Sequence, residues 1–258
     1  MDGTALAFSV PLELFGHHLH PHPVFESLAY VTAFAVYRHA RRRRGDPLGD
    51  RARLSVLVAA AIGALIGSKL LNLLVDPAAS WAHRAELMTW LGGKTMVGGL
   101  LGGVIGVELY KKRRGIRVRT GDLYAVPLLV GIAVGRIGCF LTGLDDLTYG
   151  RATSLPWGID FGDGIRRHPT QLYEIGAMVL LAGYVAFRAR RPHAEGDLFR
   201  LALLGYLAWR LLVDFIKPGP RFFGLGAIQW ACLAGLLVYA REIPRLMARS
   251  QGVPHEPA

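Results

Sequence analysis

Cysteine and charge are both scarce in this chain. Its 258 residues include two cysteines, Cys139 and Cys232, each inside an apolar run. That excludes a disulfide framework and a thiolate metal site. Charged residues make up 19%, below the roughly 25% of an ordinary soluble domain. The nine histidines make no metal motif; the run "HHLHPH" (His17–His22) is the nearest approach. No metal and no cofactor is therefore expected. No Ala-x-Ala cleavage site precedes a mature domain, so no removable signal peptide is expected either.

What the chain has is apolar sequence in blocks. It is 52% hydrophobic, with a mean hydropathy of +0.32. Seven blocks stand out, over 19–37, 54–75, 89–110, 122–142, 171–187, 198–216 and 225–240. Most approach the ~20 residues that cross a hydrocarbon core. A backbone in lipid must satisfy its own hydrogen bonds, so the blocks are expected to be helices. The first, third and sixth are weaker, because each holds a polar group or several glycines. The 32 glycines suit close helix packing in a membrane.

The formal charge of +11 raises nucleic-acid binding, but its distribution argues against it. Basic clusters fall at "RHARRRR" (Arg38–Arg44), "KKRRGIRVR" (Lys111–Arg119) and "RARR" (Arg188–Arg191), with Arg241, Arg245 and Arg249 following. They come after blocks one, three, five and seven. The positive-inside rule places all of them in the cytoplasm, where they meet anionic lipid heads. The expectation is an all-α polytopic membrane protein of about seven transmembrane helices. Its N-terminus is outside and its C-terminus cytoplasmic. One seven-span domain covers 1–241, with an outer-face loop at 143–169 and a cytoplasmic basic tail at 242–258.

Ionisable groups in or beside hydrocarbon are costly and mark candidate functional positions. They are Glu26, Lys69, Glu108, Arg136, Glu174, Arg210 and Asp214. Glu108 and Lys111 sit near the inner end of their block, where snorkelling makes them interfacial anchors. Arg136 lies between Gly135 and Gly138, and a guanidinium fork suits phosphate or carboxylate oxygens. Arg210 and Asp214 share a helix face at i,i+4 spacing; the pair is either self-satisfied or a second basic group for a phospholipid head. Lys217 and Arg221 continue that basic strip. The long outer loop holds Asp145, Asp146, Arg151, Trp157, Asp160, Asp163, Arg166, Arg167 and His168 among Gly and Pro turn signals. It reads as a substrate lid, a docking surface or a plain connector.

One short pattern occurs twice. "HPHPVFE" (His20–Glu26) and "HPTQLYE" (His168–Glu174) each open an apolar block. Proline suits a helix's first turn, and an aromatic a few residues on can anchor at the headgroup level. Glu26 and Glu174 then sit one turn deeper and need partners. Arg136 is the candidate for Glu174.

The chain resembles the prolipoprotein diacylglyceryl transferase family. The segment "GRIGCFLTGLDDLTYGRATSLPWGIDFGDGIRRHPTQLYE" is similar to that family's G-R-x-G-N-F-x-N-G-E, W-G-R, P-T, L-P-W-G and R-H-P-x-Q-L-Y-E, in order. "GGKTMVGGLLG" (Gly92–Gly102) matches its G-G-M-S-F-H-G-G-L-I-G, and "RLLVDFIKPG" (Arg210–Gly219) its R-I-I-V-E-F-F-R-Q-P. The resemblance implies a multi-pass protein of the bacterial plasma (inner) membrane. It would move a diacylglyceryl group from phosphatidylglycerol to the lipobox cysteine thiol of prolipoproteins, releasing glycerol phosphate. Its partners would be phosphatidylglycerol and prolipoprotein signal peptides.

By position, the resemblance makes Arg136 and Arg210 the family's essential, phosphate-holding arginines. Asp214 and Lys217 replace a glutamate and an arginine, and the family's substrate-facing tyrosine falls near Phe25 or Glu26. Gln171, Tyr173 and Glu174, inside the signature, are expected to bind substrate with Glu26. Four positions depart: Val97 stands for the family's histidine, Cys139 and Thr142 for its asparagines, and Leu144 for its glutamate. Asp145 or Asp146 would supply that carboxylate if the loop folds back. A thiol pKa near ~8.5 needs only modest activation, yet Val97 accepts no proton. The outer-face bases are His168, best placed by position, with His20, His22, Asp145 and Asp146. Two other readings remain: a related phospholipid-dependent transferase with a different acceptor, and a non-catalytic lipid-binding or transport protein on the same scaffold.

Overall fold

A computed structural model describes residues 12–14 and 17–247 of the chain. Among the described residues, a short antiparallel pair, β1 (Leu12–Leu14) and β2 (His17–Leu19), precedes ten helices. These are α1 (Pro21–Arg44), α2 (Asp50–Val75), α3 (Pro77–Ala82), α4 (Leu87–Leu91), α5 (Met96–Arg114), α6 (Asp122–Thr142), α7 (Thr170–Arg188), α8 (Asp197–Val213), α9 (Ala227–Val238) and α10 (Ile243–Met247). A two-residue ribbon, β3 (Ile159–Asp160) with β4 (Arg166–Arg167), lies between α6 and α7. The expected tail at 242–258, with Arg249, lies outside the described residues from 248 onward.

Each of the seven apolar blocks coincides with a helix. Three are long and apolar enough to cross a membrane by length and composition: Asp50–Val75, Asp122–Asp146 and Thr170–Arg188. The chain is thus a mostly helical protein with three candidate membrane spans among the described residues. The third block departs from its expected start at residue 89. The short α4 stops at Gly92, and α5 begins only at Met96. Gly93 takes a left-handed φ of +58°, and the Lys69 ammonium donates to the carbonyls of Gly92 and Gly93 at 2.8 Å each. A cation on these carbonyls stabilises the break.

The chain forms two compact units. The first gathers Met1–Arg44, Leu123–Arg191 and Phe215–Pro218. Small residues let α1 approach α6: a Cβ on Gly138 would lie 2.7 Å from the Phe25 Cβ, and one on Gly131 would lie 3.2 Å from the Ala33 Cβ. Nearer the basic end of α1, the Tyr37 and Tyr124 rings stack at 4.9 Å. Buried Leu129, Met178 and Val185 complete its apolar interior.

The second unit gathers Gly45–Asp122, Pro192–Asp214 and Gly219–Ala258. Its centre is a glycine seam. Gly63 and Gly67 of α2 face Gly98, Gly102 and Gly106 of α5 so closely that a Cβ on Gly102 would lie 2.3 Å from the Gly63 carbonyl oxygen. Four-residue spacing stacks these glycines on one face of each helix. Thr95 ties the seam's end to α2 through its N–H to the Ser68 hydroxyl (2.9 Å) and its hydroxyl to the Ser68 carbonyl (3.1 Å). The Asp122 carboxylate accepts from the N–H groups of Gly196 (2.7 Å) and Phe199 (3.0 Å), filling donors at the start of α8. In α9, the Gln229 amide donates to the Leu211 carbonyl at 3.1 Å, joining the helix to α8.

Candidate functional site

The first unit builds a polar cluster where α6, its following turn and the opening of α7 converge. Arg136 projects from α6, and its Nε lies 2.9 Å from Oε2 of Glu174 on α7. Glu174 is 1% exposed, and Arg136 is also buried. The guanidinium and the carboxylate meet in the interior, so the pair expected from the sequence is formed. Gln171 lies one turn earlier on α7, on the same face as Glu174. It too is 1% exposed, and neither its amide oxygen nor its nitrogen has a hydrogen-bond partner among the described residues. Leaving such atoms unsatisfied costs about 1–3 kcal/mol, which makes Gln171 a candidate for holding a polar ligand.

Around the next turn of α6, an Arg136 Nη lies 3.6 Å from the Cys139 sulfur. The helix then ends abruptly. Gly143 takes φ +68°, and a single 3-10 turn, Gly143–Asp146, swings back. It separates the two acids of "LDD". Asp145 is exposed, whereas the Asp146 side chain is 7% exposed and its Oδ1 lies 2.8 Å from Nδ1 of His22 on α1. Asp146 also accepts from the Thr148 hydroxyl. The fold-back thus brings in Asp146 and leaves Asp145 in the open.

His22, Cys139 and Asp146 each present one potential ligand atom, all within 4.8 Å of one another. Sequence reasoning placed no metal here. The donor types suit a divalent cation, but the Arg136 guanidinium on the sulfur sets a fixed positive charge against one. Glu26, expected to be buried, is instead half-buried, 3.8 Å from Nε2 of His22. Pro21 opens α1 as expected, but Pro169 occupies the N-cap of α7, one position before its first turn.

His168 serves the loop. Its backbone N–H donates to the Arg151 carbonyl (3.1 Å), its carbonyl accepts from the Gly150 N–H (2.9 Å), and Nδ1 lies 3.3 Å from the Tyr173 hydroxyl. That hydroxyl accepts from the exposed Trp157 indole at 2.8 Å. The loop is a folded plate and no plain connector. Asp160 Oδ1 accepts from the N–H groups of Gly162, Asp163 and Gly164. Arg167 binds both Asp163 oxygens at 2.6 Å and lies over the Tyr149 ring. Those bonds hold the Asp163 carboxyl below, and the Arg167 guanidinium above, their ordinary pKa. Lys217 offers its carbonyl to the Arg151 guanidinium at 3.2 Å.

In the second unit, Arg210 and Asp214 form the i,i+4 ion pair at 3.0 Å, both largely buried. Val97 is 1% exposed in the first turn of α5. Sequence reasoning did not single out the seam glycines by position, although Gly63/Gly67 and Gly98/Gly102/Gly106 carry the four-residue signal. Nor did it link His22 to Asp146, since nothing local joins residues so far apart in the chain.

A family model described as prolipoprotein diacylglyceryl transferase matches residues 9–243. Among curated relatives, a phosphatidylglycerol--prolipoprotein diacylglyceryl transferase of Bordetella parapertussis is 31% identical over 84% of this chain and 90% of its own length. Proteins of the same name from Cupriavidus necator and Geobacter sulfurreducens are 37% and 34% identical, over 68% and 77% of each chain. With most of its length matched, the chain belongs to the prolipoprotein diacylglyceryl transferase family.

Proposed function

We propose that the chain performs its family's reaction, moving a diacylglyceryl group from phosphatidylglycerol to the lipobox cysteine thiol of a prolipoprotein. Glycerol phosphate is released. The observation that carries the site assignment is the buried Arg136–Glu174 pair, one helical turn from the orphaned Gln171 amide. A guanidinium fork steadied by a carboxylate suits the oxygens of a phosphate. Gln171 supplies a donor and an acceptor of the kind a glycerol headgroup takes.

In the reaction, the acceptor thiol loses its proton and attacks the glyceryl carbon that bears the phosphate. The C–O bond breaks, and its electron pair leaves with the glycerol phosphate. Arg136 stabilises the charge that gathers on that leaving group. Arg210, paired with Asp214, is the second cation the family pattern assigns to this step. Tyr173, with His168 and Trp157, forms the polar edge of the loop. We place the acceptor's signal peptide on that loop, and Lys217 and Asp145 at its margin.

The topology goes with this reading. The seven apolar helices α1, α2, α5, α6, α7, α8 and α9 each span the inner membrane of a bacterium. The N-terminus is outside, and the basic clusters after α1, α5, α7 and α9 are cytoplasmic on anionic lipid. The whole forms one functional domain over 1–241, followed by a cytoplasmic tail.

The test uses purified protein in lipid nanodiscs with radiolabelled phosphatidylglycerol and a lipobox-cysteine peptide. Label should move to the peptide and not in Arg136→Ala. Absence of transfer by folded, lipid-bound protein sinks the reading. Val97 at the histidine position favours one second reading, transfer to a different acceptor. Consumption of phosphatidylglycerol with an unlabelled peptide would identify it.

A further inference from the structure

With Val97 in place of the family's histidine, the thiol's proton needs another acceptor. We propose that His22, oriented by Asp146, is that acceptor, on the premise that the transfer reaction above is correct.

Four features build the site. First, the backbone fixes the ring's base. Pro21 and Pro23 flank His22 in the first turn of α1, and each locks its own φ. The Gly138 surface of α6 lets that turn close in: a Cβ there would lie 3.5 Å from the His22 Cα. Second, Asp146 fixes the tautomer. Its carboxylate, 2.8 Å from Nδ1, is an acceptor only, so Nδ1 carries the proton and Nε2 keeps its lone pair. Third, that carboxylate is itself held, by the left-handed Gly143, the 3-10 turn and the Thr148 hydroxyl. A nucleophile's base oriented by a third group is the general pattern of an activating dyad. Fourth, Nε2 is reachable. The His22 side chain is 32% exposed, and the nearest carboxylate, Glu26 Oε2, stands 3.8 Å from Nε2, beyond hydrogen-bond length.

The charges around the ring suit a transient imidazolium. Asp146 and Glu26 are the carboxylates that face it, and His20 meets it through the backbone, its Nδ1 accepting from the His22 N–H at 3.4 Å. On α6, Cys139 lies within 4.8 Å of the dyad and touches the Arg136 guanidinium. The Cys139 sulfur therefore neighbours both the proton acceptor and the phosphate-holding cation. In the step, the thiol S–H bond breaks and its proton goes to Nε2. The S–C bond forms as the C–O bond breaks, and the imidazolium then returns the proton to the released phosphate or to water. His22 is a catalytic residue in this scheme and Asp146 a positioning residue.

The experiment uses the full chain in phosphatidylglycerol nanodiscs with the lipobox peptide. Wild-type transfer is read first, and its absence overturns the function and this inference together. Given transfer, His22→Gly and His22→Gln should each lower kcat by about 10²–10⁴, the usual share of a general base, with the KM for phosphatidylglycerol unchanged. Millimolar imidazole should restore part of the rate to His22→Gly and none to His22→Gln, whose side chain fills the space. Asp146→Asn should lower kcat, and Asp146→Glu should recover part of it. Wild-type rates in folded His22 variants, or a folded His22→Gly that imidazole does not rescue, overturn the dyad alone. Loss of wild-type activity on chelation, restored by zinc, overturns it in favour of His22, Cys139 and Asp146 as metal ligands.

Discussion

Arg136 and Glu174 meet at 2.9 Å with both side chains buried, joining α6 to α7. Both charges lie largely out of water, and each is a counter-ion for the other. Removing one partner of such a pair costs about 3–5 kcal/mol. Glu174→Gln, which keeps the shape, should lower the midpoint of thermal unfolding in detergent and reduce transfer. Arg136→Ala should lower both further, because it also removes the cation proposed to hold the phosphate. A Glu174→Gln protein with wild-type melting would show that the pair contributes no net stability.

Gln171 should behave in the opposite sense. Its two buried, unpartnered polar atoms burden the fold in the absence of ligand. Gln171→Met should leave thermal stability equal or higher, by up to about 1–3 kcal/mol, while raising the KM for phosphatidylglycerol. Melting curves and a lipid titration on one preparation check both halves. Lower stability with unchanged KM would remove Gln171 from the binding site.

The glycine seam makes a steric prediction. Gly102→Leu cannot be accommodated, because its Cβ would press on the Gly63 carbonyl at 2.3 Å. The variant should fail to yield folded protein, or melt far below wild type. Gly176 on α7 has nothing within 4 Å of a built Cβ. Gly176→Ala should stabilise by up to about 1 kcal/mol, as expected of alanine over glycine in a helix. Equal thermal shifts for the two variants would contradict the seam.

The loop makes a prediction in pH. Arg167 holds the Asp163 carboxyl below its ordinary range, so the folded loop binds that proton more weakly than the unfolded chain does. The resulting stabilisation is complete above the unfolded carboxylate pKa of about 3.9. It is lost as pH falls below that value through the folded one. Limited proteolysis of the 159–167 ribbon should stay slow at neutral pH and accelerate below about pH 4. Asp163→Asn should flatten that dependence, with faster cleavage at neutral pH.

Hydropathy made the helices legible, since lipid imposes one solution on a long apolar run. Each of its seven runs overlaps a helix, and it missed the start of α5. There the deciding interaction was Lys69 capturing two carbonyls more than twenty residues away, which no local window contains. Arg136 and Glu174 were legible as partners because each is too costly to bury alone. The division of labour between Asp145 and Asp146 was not, because adjacent acids look alike until a left-handed glycine turns one inward. His22 was named only among several outer-face bases. Its place beside Asp146 depends on how closely α1 approaches Gly138, and that closeness is a property of two distant segments together.

The seam between α2 and α5 also bears on motion. Ordinary helix pairs slide because interlocked side chains can hop between rotamers as the helices shear. Here carbonyls and Cα atoms meet directly, so there are no rotamers to hop and no slack to take up. Within its unit the pair behaves as a single double-width strut. Any breathing within the unit must be taken up by the side-chain-packed helices α8 and α9 and by the connecting loops. The glycines thereby set which parts of the unit can yield.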